Sequence, residues 1–171
     1  MNKKKIIAKV ILKLGSWKPV MTEKEAKAWS SGSKIKGIRY HGSPNADKIR
    51  KEGFINMRTP AAHLGFMFTN HYSYALKWAR GNPENVLTCM FNVSNPLPQK
   101  EHSKRYKELE KEGKFKKPDI GVEGTAFLRE LRGRYEWEGY DSIDQEGGEI
   151  VVFHTRKIVI LEDDKITKNK K

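Results

Sequence analysis

The chain of 171 residues contains a single cysteine and no uninterrupted apolar stretch long enough to span a bilayer. Cys89 alone excludes an intramolecular disulfide and a multi-cysteine zinc site, and it fits a reducing compartment. It stands in the apolar run Val86-Leu87-Thr88-Cys89-Met90-Phe91, where a packed thiol is the stronger reading and a nucleophile the alternative. The apolar stretch from Ile6 to Leu14 is broken by Lys9 and Lys13, and no small-residue cleavage site follows closely. It therefore argues against a signal peptide and leaves open a basic amphipathic helix lying on another surface. The chain has no His-Glu-x-x-His, no phosphate-binding Gly-x-x-x-x-Gly-Lys loop and no Rossmann fingerprint. His63, His71, His102 and His154 are scattered without metal-ligand spacing, so no metal is expected. No internal repeat is evident.

What the chain has in excess is positive charge. Lys and Arg number 34 against 21 Asp and Glu, giving +13 and a pI near 9.7, a surface that attracts polyanions such as nucleic acid. Ten of the lysines fall in the first 36 residues, and Lys165, Lys168, Lys170 and Lys171 form a second cluster. Such terminal runs serve as solvated faces as readily as binding sites. Hydrophobic residues at 37% and charged residues at 32% are the balance of one folded domain.

The pattern along the chain changes near residue 35. Residues 1–34 read as a basic, partly helical extension, with a short helix in 2–14 and a capping box, Thr22-Glu23-Lys24-Glu25, opening a second helix toward Trp29. Residues 35–162 read as the domain proper, and 163–171 as a basic tail. Within the domain, Ile38–His41 is a strand, Asn45 or Ala46 to Glu52 a helix stopped by Gly53, and Phe54–Met57 a further strand. Gly65–Thr69 is a strand, Asn70 caps a helix to Ala79, and Val86–Val93 is the strongest strand. Residues 99–117, dense in Lys, Arg and Glu, read as an exposed helix or charged insertion. Gly124–Arg132 is a helix, and strands near 140–143, 149–154 and 157–161 close the chain. Many short strands with few helices between them indicate an α+β domain, since crossover helices for a parallel sheet have little room.

Three segments carry candidate chemistry: Tyr40-His41-Gly42-Ser43, Gly65-Phe66-Met67-Phe68-Thr69 leading to Tyr72, Tyr74 and Trp78, and Gly147-Gly148-Glu149-Ile150-Val151-Val152-Phe153. Singly, each has a bland alternative. A strand-end histidine is commonly structural, aromatics at helical spacing are commonly core, and Glu149 fits a solvated strand edge or a pair with Arg156.

Taken together and in this order, the three segments resemble the H-Y-E branch of the ADP-ribosyltransferase superfamily, the diphtheria-toxin and PARP type, over residues 38–161. The resemblance implies a split antiparallel β-sheet with a few flanking helices, and NAD⁺ as substrate. It makes His41 the partner of a ribose hydroxyl, Gly42 a backbone contact to the nicotinamide amide, Trp78 the second stacking ring, and Glu149 the catalytic carboxylate. Ser43, Phe66, Phe68 and Tyr74 complete the expected NAD-binding set. The sequence departs from the family pattern at Met67, which stands where the first stacking tyrosine belongs. Asp144, Gln145 and Glu146, in the expected loop from Tyr140 to Gly148, fall where the family reads its acceptor.

The resemblance implies a mono-ADP-ribosyltransferase working on a polyanionic acceptor such as RNA or DNA, or on a protein, in the cytoplasm. An intracellular toxin, paired or not with an antitoxin, and a phage effector both suit that description. Two alternatives share the early segments: an NAD-dependent RNA 2′-phosphotransferase, against which Gly147-Gly148-Glu149 argues, and a catalytically dead NAD- or nucleic-acid-binding relative.

Overall fold

The computed structural model describes residues 18–55, 64–113 and 122–162. The expected helix in 2–14, residues 56–57 of the expected strand, His63 and the tail from 163 lie outside them. In chain order the described elements are β1 (Val20–Met21), α1 (Glu23–Trp29), β2 (Arg39–Gly42), α2 (Ala46–Glu52), β3 (Phe66–Phe68) and α3 (Tyr72–Trp78). They continue with β4 (Val86–Phe91), β5 (Pro96–Pro98), α4 (Gln99–Lys111), α5 (Val122–Trp137), β6 (Ser142–Gln145), β7 (Glu149–Val152) and β8 (Ile158–Leu161).

The fold is α+β, with two four-stranded mixed sheets in the orders β1-β8-β4-β2 and β3-β7-β6-β5. Most neighbours are antiparallel; β1 with β8 and β5 with β6 are parallel. The sheets pack through one shared cluster, with Leu87, Cys89 and Phe91 of β4 and Ile158 and Ile160 of β8 meeting Phe66 and Phe68 of β3 and Ile150 and Val152 of β7. Helices cover the outer faces. α1 covers Met90, Val159 and Leu161, α3 covers Val86, and α4 with α5 covers Leu97, Ile143 and Val151. A strand buried on both faces favours apolar side chains at nearly every position, which is why β4 is apolar save for the buried Thr88 instead of alternating. Cys89 lies within it, fully buried, as a packing residue.

Some local expectations hold and others change. Thr22 and Glu25 form both arms of the capping box, and Gly53, at φ 78°, ends α2. The expected domain start at residue 35, however, does not coincide with an edge of the fold. β1 pairs with β8, and Met21 and Ala26 are core residues. Phe54 is a buried plug in the shared cluster and belongs to no strand. α3 begins with His71 as its N-cap instead of Asn70, because Thr69 Oγ1 accepts the His71 N–H. The charged stretch after Gln99 is an amphipathic helix through Lys111 whose inner face, with Leu109 buried, contributes to the second core. Asp144 and Gln145 belong to strand β6, so the expected loop shrinks to the turn Glu146–Gly148.

Candidate active site

The two sheets meet along a seam made by three consecutive residues of β2. Tyr40 exchanges backbone hydrogen bonds with Thr69, its N–H donating to Thr69 O at 2.7 Å and its carbonyl accepting from Thr69 N at 3.0 Å. His41 Nδ1 lies 2.8 Å from Met67 O. Arg39 Nε donates to Gly148 O at 3.0 Å. The candidate residues from the two sheets flank this line, with His41 on β2 in the first sheet and Glu149 opening β7 in the second.

His41 is fixed on three sides. Its half-buried ring meets Phe54 edge-on at 5.1 Å and Phe68 at 5.4 Å. A carbonyl only accepts, so Nδ1 carries the proton in its bond to Met67. Burial holds the imidazole pKa below its ordinary value, and the Met67 carbonyl opposes that shift only in part. The neutral ring therefore keeps a lone pair on Nε2, able to accept an O–H donor such as a sugar hydroxyl.

Gly42 is required by packing. A Cβ there would fall 1.8 Å from Ala75 O, so only glycine lets α3 lie against β2. Ser43 shapes the turn that follows: its N–H donates to Asn85 O, its carbonyl accepts from Ala46 N, and its hydroxyl accepts from Asn45 N.

The aromatic candidates separate into two groups. Phe66 and Phe68 are 4% and 2% exposed and belong to the core, so they present no ring face to a ligand. Met67, Tyr74 and Trp78 are 47%, 42% and 63% exposed, and the rings of Tyr74 and Trp78 meet edge-to-face at 6.4 Å. Strand alternation explains the split in β3, where Phe66 and Phe68 face inward and Met67 faces out.

Glu149 is half-buried and pairs across the hairpin with Gln145. Register places it on the same face of the second sheet as Met67 and Val151, the face that α4 and α5 cover at Val151, whereas Phe68, which meets the His41 ring, pairs with Ile150 on the opposite face. The preceding turn uses Gly147 and Gly148 at φ 84° and 85°, and Gly148 O accepts from both Asn70 N and Arg39 Nε. Asp144 and Glu146 are exposed and Gln145 is half-buried beside this turn.

Arg39 and Asn70 are the residues that sequence reasoning missed. Their contacts lie 109 and 78 positions along the chain, and no local pattern marks them. An open groove of about 330 Å³ between α4 and α5, walled by Arg105, Glu108, Leu131 and Tyr135, contains none of the candidate residues. Among the described residues, no cluster of His, Cys, Asp and Glu has the makings of a metal site, and no helix is long and apolar enough to cross a membrane. The chain matches no protein-family model and no curated protein sequence.

Proposed function

We propose that this protein is an NAD-dependent mono-ADP-ribosyltransferase with the split-sheet fold of the H-Y-E branch. The observation that supports this most is the seam. A histidine held by the Met67 carbonyl stands on a strand of the first sheet, the strand that crosses to the second sheet at Tyr40–Thr69, and Glu149 heads a strand of that second sheet; Met67, Tyr74 and Trp78 are exposed.

In this reading, His41 Nε2 accepts a hydrogen bond from a ribose hydroxyl of NAD⁺. Trp78 supplies the stacking surface for the cationic nicotinamide, for which indole is the best side chain. Met67, the residue that departs from the family pattern, adds a polarisable contact. The C–N bond between ribose and nicotinamide breaks with its electron pair leaving on the nicotinamide, and positive charge builds on the sugar. The Glu149 carboxylate stabilises that charge while holding the nicotinamide-ribose hydroxyl. The acceptor nucleophile then bonds to the sugar carbon and loses its proton to solvent.

The +13 charge favours a polyanionic acceptor, RNA or DNA, and the Glu146–Gly148 turn with Asp144 and Gln145, whose carboxylates repel phosphate, is assigned to accepting hydrogen bonds from the acceptor's base or sugar donors. The test is release of free nicotinamide from NAD⁺ by the purified chain, followed by transfer of labelled ADP-ribose to RNA, DNA and protein offered separately. Nicotinamide release with label on one acceptor class supports the proposal. NAD⁺ left intact at high enzyme concentration contradicts it.

A further inference from the structure

We propose that Arg39 is a positioning residue that sets where Glu149 stands relative to His41, an inference that rests on the transferase reading above. Arg39 opens β2, two residues before His41, and its guanidinium spends its donors on backbone. Nε donates to Gly148 O at 3.0 Å, while Nη1 donates to Ile38 O at 2.9 Å and Lys36 O at 3.2 Å. Among the described residues no carboxylate pairs with it. A half-buried arginine holding three carbonyls, with no acidic partner among the described residues, acts as a splint.

The carbonyl it grips across the seam belongs to the residue immediately before Glu149. Gly147 and Gly148 both have left-handed φ values, a turn whose two glycines leave it free to move unless something holds it. Two bonds on one atom do so: Arg39 Nε from β2, and Asn70 N–H at 3.2 Å from the end of β3. Gly148 permits this approach, since a Cβ there would fall 2.1 Å from the Asn70 side chain. The backbone just before Glu149 is thereby tied to β2, the strand that carries His41, through one guanidinium. Lysine cannot replace it, because an ammonium is a point donor and cannot span the turn carbonyl and the two β2-side carbonyls in one plane.

The test is steady-state NAD⁺ turnover, read as nicotinamide release, for wild type, Arg39→Ala, Arg39→Lys, Glu149→Gln and the Arg39→Ala/Glu149→Gln double variant, each with its thermal midpoint. A displaced carboxylate should lower kcat by roughly 10- to 100-fold in both single Arg39 variants, with KM for NAD⁺ within about threefold of wild type. Because Arg39 acts through Glu149, its removal in the Glu149→Gln background should cost less than about a further twofold. Wild-type kcat in Arg39→Ala, or an undiminished loss in the Gln background, overturns the proposal. So does a lowered thermal midpoint with unchanged turnover of the folded protein, which marks a purely structural clamp. A wild-type chain that leaves NAD⁺ intact overturns the transferase reading and this inference with it. Turnover by wild type that is indifferent to Arg39 overturns this inference alone.

Discussion

Two residues carry conformational or protonation states that the chain could do without unless something else requires them. Arg80 has φ 56° and is the only non-glycine with a positive φ among the described residues; it sits just past α3, with Gly81 following at 75°. The left-handed region costs an L-residue roughly 1–2 kcal/mol, part of which glycine returns through its freer unfolded chain. Arg80→Gly is therefore expected to raise the unfolding free energy by roughly 0.5–1 kcal/mol, seen as a higher urea midpoint at unchanged slope; a lower midpoint contradicts the strain. His41 has its pKa held below 6.5 by burial. At pH above 6.5 folded and unfolded states are both neutral there; as pH falls below it the unfolded chain takes the proton first, so stability declines toward the folded pKa. His102, also buried and also shifted down, acts in the same direction. His41→Phe should thus remove part of the stability loss between pH 6.5 and lower values and leave the His102 part, as measured by thermal midpoints across that range. An unchanged pH profile contradicts the neutral-ring assignment.

At the scale of elements, how much could be read in advance depended on whether local rules or distant partners decide the outcome. The Thr22–Glu25 capping box, the Gly53 stop and the apolar run of β4 were legible because each is set within a few residues. β5 was not, because Pro96-Leu97-Pro98 reads as a breaker. It is tolerated only as an edge strand, and only the parallel pairing with β6 makes it one. β1 has two residues and is set by its pairing with β8, so no local pattern marks it. In the candidate site, His41, Gly42 and Glu149 stood out by their segments, whereas Arg39 and Asn70 gain significance only at the seam. The packing of β1 and α1 has a measurable consequence. Removing residues 1–30 strips β1 and α1 from the first sheet and uncovers Met90, Val159 and Leu161. This should lower the thermal midpoint by about 10 °C or more and induce binding of a hydrophobic dye. A truncated chain with the full-length midpoint contradicts the placement of β1 and α1 in the core.

For the whole molecule, two sheets, each with its own helical cover, are joined along a line that the proposed function makes an active site. Glu149 tests that claim most directly, since it opens a strand of the second sheet while His41, its expected partner in catalysis, lies on the first. Glu149→Gln keeps size and hydrogen-bonding capacity and removes only the charge, so it should act on the charged transition state far more than on bound NAD⁺. The decisive measurement is kcat for nicotinamide release by this variant, with its thermal midpoint and NAD⁺ dissociation constant taken alongside. The account predicts a loss of about 10²–10³ in kcat, with the midpoint and NAD⁺ affinity near those of wild type. A Glu149→Gln protein that turns over NAD⁺ at close to the wild-type rate would contradict it, leaving Glu149 a solvated strand-edge carboxylate and the seam a feature of folding alone.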